Sequence, residues 1–237
     1  MSRGINQEVL MSPIKSAGIV KSFASALFAG AIFVAGAQAV TAPAFAQETA
    51  APQAQGTVDV EALMREGALP DVVIGDPDAP VTIVEYASLT CSHCAAFHEN
   101  TYPKIKEDYL DKGIAKLIIR EFPFDPRATA GFMLARCVPE DRRTAMVDVL
   151  FDQQQRWAMA QNASVELLAI ARQAGMSQEQ FTACLQDRDL LAKVEAVQKR
   201  GQDEFAVNAT PTFFVNGNRY GGALNVEEMS AVIEANR

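Results

Sequence analysis

The sequence predicts an α/β fold in which a long helical block is inserted between a strand, helix, strand unit and a closing hairpin with its own helix. Three observations carry this. Residues 81–86 (Val-Thr-Ile-Val-Glu-Tyr) and 114–122 are apolar on both faces, as strands covered by helices on two sides are. A helical pattern joins them, and such a unit needs a right-handed crossover if the strands are parallel. From about residue 127 to 205 the spacing is helical, after which residues 210–215 run into Asn216-Gly217, a pair suited to the positive φ values of a tight hairpin turn.

In chain order, residues 1–46 read as a secretory signal. Lys15 and Lys21 precede an Ala/Gly/Phe-rich run over 22–40, and Ala44-Phe45-Ala46 before Gln47 fits the small-x-small cleavage rule. The rival reading is an uncleaved anchor, since the run approaches the roughly 20 residues that span a bilayer. Its Ala, Gly and Ser content and Gln38 speak against that reading, and Met11 is an alternative start. Cleavage would leave 237 − 46 = 191 residues, enough for one substantial domain. Loss of Arg3, Lys15, Lys21 and Glu8 takes 21 basic and 29 acidic residues to 18 and 28, a net charge of −10. No basic run offers a phosphate footprint, which argues against a nucleic-acid partner.

Residues 47–57 lack periodicity and read as a mobile linker, followed by a short helix over 58–69 that Pro70 ends. Residues 72–74 form a strand and 75–80 a turn. The helix opening at Cys91 extends to about Leu110 and should kink or split at Pro103. Helices are expected over 128–137, 140–154, 165–174, 177–185 and 190–205, with Ser and Asp residues at the breaks as N-caps. Asn225 caps a last helix over 226–235. Trp157 reads as core.

The chemistry concentrates in Cys91-Ser92-His93-Cys94. A cysteine at a helix N-terminus faces unpaired N–H groups and the positive end of the helix dipole, and both favour thiolate. Cys94 lies one turn on, on the same face, and can close a disulfide with it. His93 can donate to the Cys91 thiolate or place positive charge beside it. A zinc knuckle using His93 or His98 is the competing reading, but a second ligand pair at short spacing is missing, so no metal is expected. Ala95 stands where a haem-attachment motif needs histidine. His98 by itself reads as a surface or packing histidine. Glu85 is an odd residue for a buried strand; its unremarkable reading is an ion pair with Lys116 or Arg120 on the neighbouring strand. In an exported protein four cysteines can form two pairs, although Cys137 and Cys184 can also be two free core thiols.

With the Cys91-Ser92-His93-Cys94 helix ahead of the helical block and Thr210-Pro211-Thr-Phe-Phe-Val-Asn-Gly after it, residues 70–237 resemble the DsbA family of exported thiol:disulfide oxidoreductases. The resemblance implies a thioredoxin-like fold with an inserted α-helical domain at about 127–205 within a domain of residues 58–237. It implies a cis Pro211 beside the Cys91 sulfur, with the Thr210 backbone pairing to an extended substrate segment. Cys91 would be the nucleophile and Cys94 the resolving thiol, and Glu85 would lie beneath them as a carboxylate able to accept the Cys94 proton. Cys137 and Cys184 would form a second, structural disulfide. Ser92 replaces the proline usual in DsbA itself, and Thr210 is shared with the isomerase and reductase branches; both residues tune redox poise. The function implied is a monomeric periplasmic oxidase without cofactor, acting on reduced exported proteins and reoxidised by a DsbB-like membrane partner. A reductase or isomerase, or a non-enzymatic holdase, are the alternatives. An apolar strip of Leu89, Phe97 and the residues flanking Pro211 could receive unfolded chains.

Overall fold

The computed structural model describes residues 51–237, so the expected signal segment and residues 47–50 lie outside it. Among the described residues no helix is long and apolar enough to cross a membrane. Five strands form one mixed sheet: β1 (Val73–Gly75), β2 (Val81–Ala87), β3 (Ala115–Glu121), β4 (Thr212–Val215) and β5 (Asn218–Gly221), in the order β1-β3-β2-β4-β5. Only β2 and β3 run parallel, joined by α2 (Ser92–Asn100) and α3 (Tyr102–Ile105); the other pairs are antiparallel.

Strand β2 is buried along nearly its whole length. Val81 and Ile83 face a core shared with α2, α3 and α10 (Val226–Ala235), while Val84 and Tyr86 face a second core with Leu63 of α1 (Val60–Met64) and Phe205 of α9 (Arg188–Phe205). The sheet is therefore the middle layer of three. At Gly201, α9 crosses so close to the sheet that a Cβ there would lie 2.7 Å from Tyr86 Cε1.

Two local expectations are corrected. Residues 51–57 are not a free linker: the Gln55 N–H donates to the Arg219 carbonyl, Thr57 bridges Asn218, and the Val58 N–H donates to the Gly217 carbonyl. Edge strand β5 has unpaired backbone groups on its outer side, and this segment satisfies them. The first helix is also broken earlier than Pro103. Helix α2 stops at Asn100, Thr101 Oγ1 donates to the buried Leu224 carbonyl, and Pro103 falls in the first turn of α3, where its missing N–H breaks no helical bond. One wider turn, Lys106–Leu110, follows before β3.

The insertion comprises α4 (Pro126–Cys137), α5 (Arg143–Asp152), α6 (Gln154–Ala158), α7 (Ala163–Gln173), α8 (Gln178–Gln186) and the start of α9. Its core surrounds Trp157, which is fully buried and donates its Nε1–H to the Leu150 carbonyl. Cys137 at the end of α4 is disulfide-bonded to Cys184 in α8. In the hairpin, Asn216 (φ 46°) and Gly217 (φ 86°) both take the left-handed conformation of a tight turn.

Two stability outcomes follow from this packing. Gly201→Ala forces Tyr86 or α9 to shift and should cost about 1–3 kcal/mol in chemical denaturation. The paired replacement Cys137→Ala/Cys184→Ala opens a loop with a sequence separation of 47 residues; chain entropy puts the loss near ~4 kcal/mol, a fall in Tm of roughly 8–16 °C by calorimetry.

Candidate functional site

The reactive dithiol sits where β2 ends and α2 begins. Cys91 is the N-cap of α2 with an extended backbone (φ −79°, ψ 119°), so its side chain lies over the first turn, and Cys94 is one turn further in. Both thiols are free; Cys91 is half-buried and Cys94 completely buried. The loop before them is tied to the insertion at two points. Thr90 Oγ1 donates to Asp125 Oδ2 at 2.6 Å, while Asp125 Oδ1 caps the first N–H groups of α4. Gln154, buried in α6, donates through Nε2 to the Leu89 and Cys91 carbonyls at 2.9 and 3.0 Å.

Opposite the dithiol, the Thr210–Pro211 peptide is cis, and the Cys91 thiol donates to the Thr210 carbonyl at 3.3 Å. The two sulfurs then separate electrostatically. The Cys91 pKa is lowered to about 5, first because the Cys94 thiol donates to its thiolate, with burial opposing and the Thr210 side chain and the Cys94 and His93 backbone N–H groups adding to the effect. Thr210 Oγ1 is buried without a hydrogen-bond partner, so its hydroxyl is available to a thiolate at Cys91. Cys94 is pushed far the other way, chiefly by burial, then by its hydrogen bond to Cys91 and by the charge of Glu85.

Beneath Cys94 the structure brings together two residues that the sequence kept apart. Glu85, fully buried in β2, lies with Oε2 2.9 Å from His98 Nε2, and the His98 side chain is also buried. The alternative reading of Glu85, an ion pair with Lys116 or Arg120, is excluded by strand parity. Glu85 is in register with Ile119, so Lys116 and Arg120 project from the opposite face. Lys116 instead donates to the Pro77 carbonyl, and Arg120 forms a two-pronged pair with Asp71.

A family profile described as thioredoxin matches residues 68–235. Among solved structures, alpha-DsbA1 of Wolbachia pipientis is 32% identical with a TM-score of 0.66, covering 70% of this chain and 91% of that one. The chain belongs to the DsbA family of thioredoxin-fold proteins. BdbD of Bacillus subtilis shares the fold at 23% identity, a TM-score of 0.65, and coverage of 78% of this chain and 98% of its own. A Rickettsia conorii relative, whose name assigns it provisionally to the protein-disulfide oxidoreductases, is 30% identical over 169 residues. That match takes in 69% of this chain and 59% of the relative, so the chain spans under two thirds of its length.

In this DsbA-family site, Cys91, Cys94, Glu85, Thr210 and Pro211 converge. Ser92 and His93 are exposed, and no hydrogen bond of the His93 ring is found among the described residues; its backbone N–H, not its imidazole, acts on Cys91. Leu89 and Phe97 do not form an exposed strip: both are buried, in the cores on either side of α2. The large apolar side chains that are exposed include instead Phe124, next to Asp125, and Met159, next to the Ala158 carbonyl that Arg127 binds, besides Val60, Val73 and Val165. Sequence reading took His98 for a surface or packing histidine and passed over Asp148 and Gln154. Only His98 carried a signal, its spacing of four from Cys94 on one helix face.

The Cys91 geometry has a direct readout. Alkylation of reduced protein by iodoacetamide should be half-maximal near pH 5 and level by neutral pH, whereas the unfolded chain titrates near about 8.5. In Cys94→Ala, which removes the largest thiolate-stabilising contact, the midpoint should move upward.

Proposed function

We propose that this protein is a periplasmic disulfide oxidase that transfers the Cys91–Cys94 disulfide to reduced exported proteins. The observation that carries the reading is the opposite treatment of two cysteines one turn apart, with the lowered one facing the cis Thr210–Pro211 peptide. A thiolate exists only in the reduced state, so stabilising it favours that state over the disulfide. The advantage grows from about pH 5 to the ordinary thiol value of about 8.5 and fades as pH falls through 5. A disulfide built this way is readily given up, which suits an oxidant.

In the proposed reaction an extended substrate segment lies along the Thr210 backbone and its thiolate attacks Cys91 Sγ. The Cys91–Cys94 bond breaks, a substrate–Cys91 bond forms, and Cys94 leaves as a thiolate that takes up a proton. A second substrate thiolate then attacks the substrate sulfur, closing the substrate disulfide and releasing the Cys91 thiolate. Two electrons have passed from substrate to enzyme, and a DsbB-like membrane oxidase would remove them. Phe124 and Met159 offer apolar contacts to unfolded chains beside the segments tied to the dithiol loop. The Ala44-Phe45-Ala46 pattern supports export of the chain.

Equilibration with glutathione buffers tests the direction of exchange. An oxidase predicts a reduction potential well above thioredoxin's value of about −270 mV. A potential at or below that value would assign the site to a reductase instead.

A further inference from the structure

Around His98 four buried side-chain atoms lack a protein partner: Glu85 Oε1, His98 Nδ1, Tyr102 Oη and Asp148 Oδ1. A dry interior would leave each at the full cost of its lost hydration. The surroundings are not sealed, however. His98, Tyr102 and Asp148 all line one cavity of about 500 Å³ between α2 and α3 on one side and α5 on the other, with Glu99, Asp152 and Gln155 also in its wall. That volume has room for several waters, with polar partners to order them. The His98 ring stacks on Phe151 of α5 at 4.1 Å and 15°, so its two nitrogens are held in a fixed plane. Nε2 meets Glu85 under the dithiol while Nδ1 remains without a protein partner.

We infer that His98 is a proton-relay residue, carrying protons between water in this cavity and Glu85, and thereby to and from Cys94. This rests on the oxidoreductase reading above and adds the route by which its buried thiol is charged and discharged. When the enzyme's own disulfide closes, the Cys94 S–H proton passes to the Glu85 carboxylate. It lands on the unpartnered Oε1, the proton shared between Glu85 Oε2 and His98 Nε2 moves onto Nε2, and the proton on Nδ1 leaves to cavity water beside Asp148. When substrate later opens the disulfide, the Cys94 thiolate draws a proton inward along the same path in reverse. One outward and one inward transfer per cycle return the Glu85–His98 pair to its starting protonation. Asp148, whose carboxyl is raised by burial and lowered by the neighbouring His98 and Lys106, positions the outer end of the path.

The test separates the relay from the underlying chemistry. Reduced protein is mixed with excess glutathione disulfide, quenched in acid at intervals and resolved by mass spectrometry. Appearance of the glutathione adduct reports attack by Cys91; its decay to the internal disulfide reports loss of the Cys94 proton. Failure to form an adduct in the parent protein would sink the oxidoreductase reading itself. If the adduct forms, the relay predicts that His98→Ala leaves the first step unchanged and slows the second by roughly 100-fold, with added imidazole entering the cavity and restoring it. Closure at the parental rate, or slowed closure that imidazole leaves untouched, overturns the relay. Should His98→Ala fail to fold, Asp148→Asn carries the test: about tenfold slower closure with unchanged adduct formation supports the path, and parental closure overturns it.

Discussion

Strand β2 is covered by α2, α3 and α10 on one face and by α1 and α9 on the other, and this double burial sets the terms for everything at the reactive end of the molecule. It leaves no solvent for a charged side chain, so Glu85 must find a partner within the protein, and the one within reach is His98 on the covering helix. It brings α9 so near that a side chain at position 201 would push against Tyr86. It also aims α2 away from the carboxyl end of the strand, placing Cys91 at the surface and Cys94 under it.

From that placement follows a division of labour between two chemically identical groups. Cys91 gains hydrogen-bond donors from the turn it caps and from the segment across the cleft, and still touches solvent. Cys94 has lost its water and faces a carboxylate. The same helix therefore holds a thiol ready to ionise and another that strongly resists it, and proton delivery to the second becomes a structural problem. The polar cavity between α2 and α5 sits where that problem arises.

The insertion is more than a lid. Asp125 at its start and Gln154 within it grip the loop from Leu89 to Cys91, so the position of Cys91 depends on helices that begin more than thirty residues later in the chain. The Cys137–Cys184 bond ties α4 to α8 and stiffens that grip from behind.

Much of this was legible in one dimension. Apolar runs marked β2 and β3, helical spacing marked the insertion, Asn216-Gly217 marked the hairpin, and the two cysteines with Thr210-Pro211 marked the dithiol and its facing wall, because each is a local pattern with a local cause. The partner of Glu85 was not legible. Strand parity rules out Lys116 and Arg120 only once the register of β2 on β3 is known, and His98 looks like any helical histidine until α5 closes over it. The exposed apolar residues were misplaced for the same reason, since Leu89 and Phe97 are hidden by helices remote in sequence. Residue type and spacing mark which groups can react; burial, register and the closure of distant helices select which of them meet, because those depend on contacts between segments that no local pattern records.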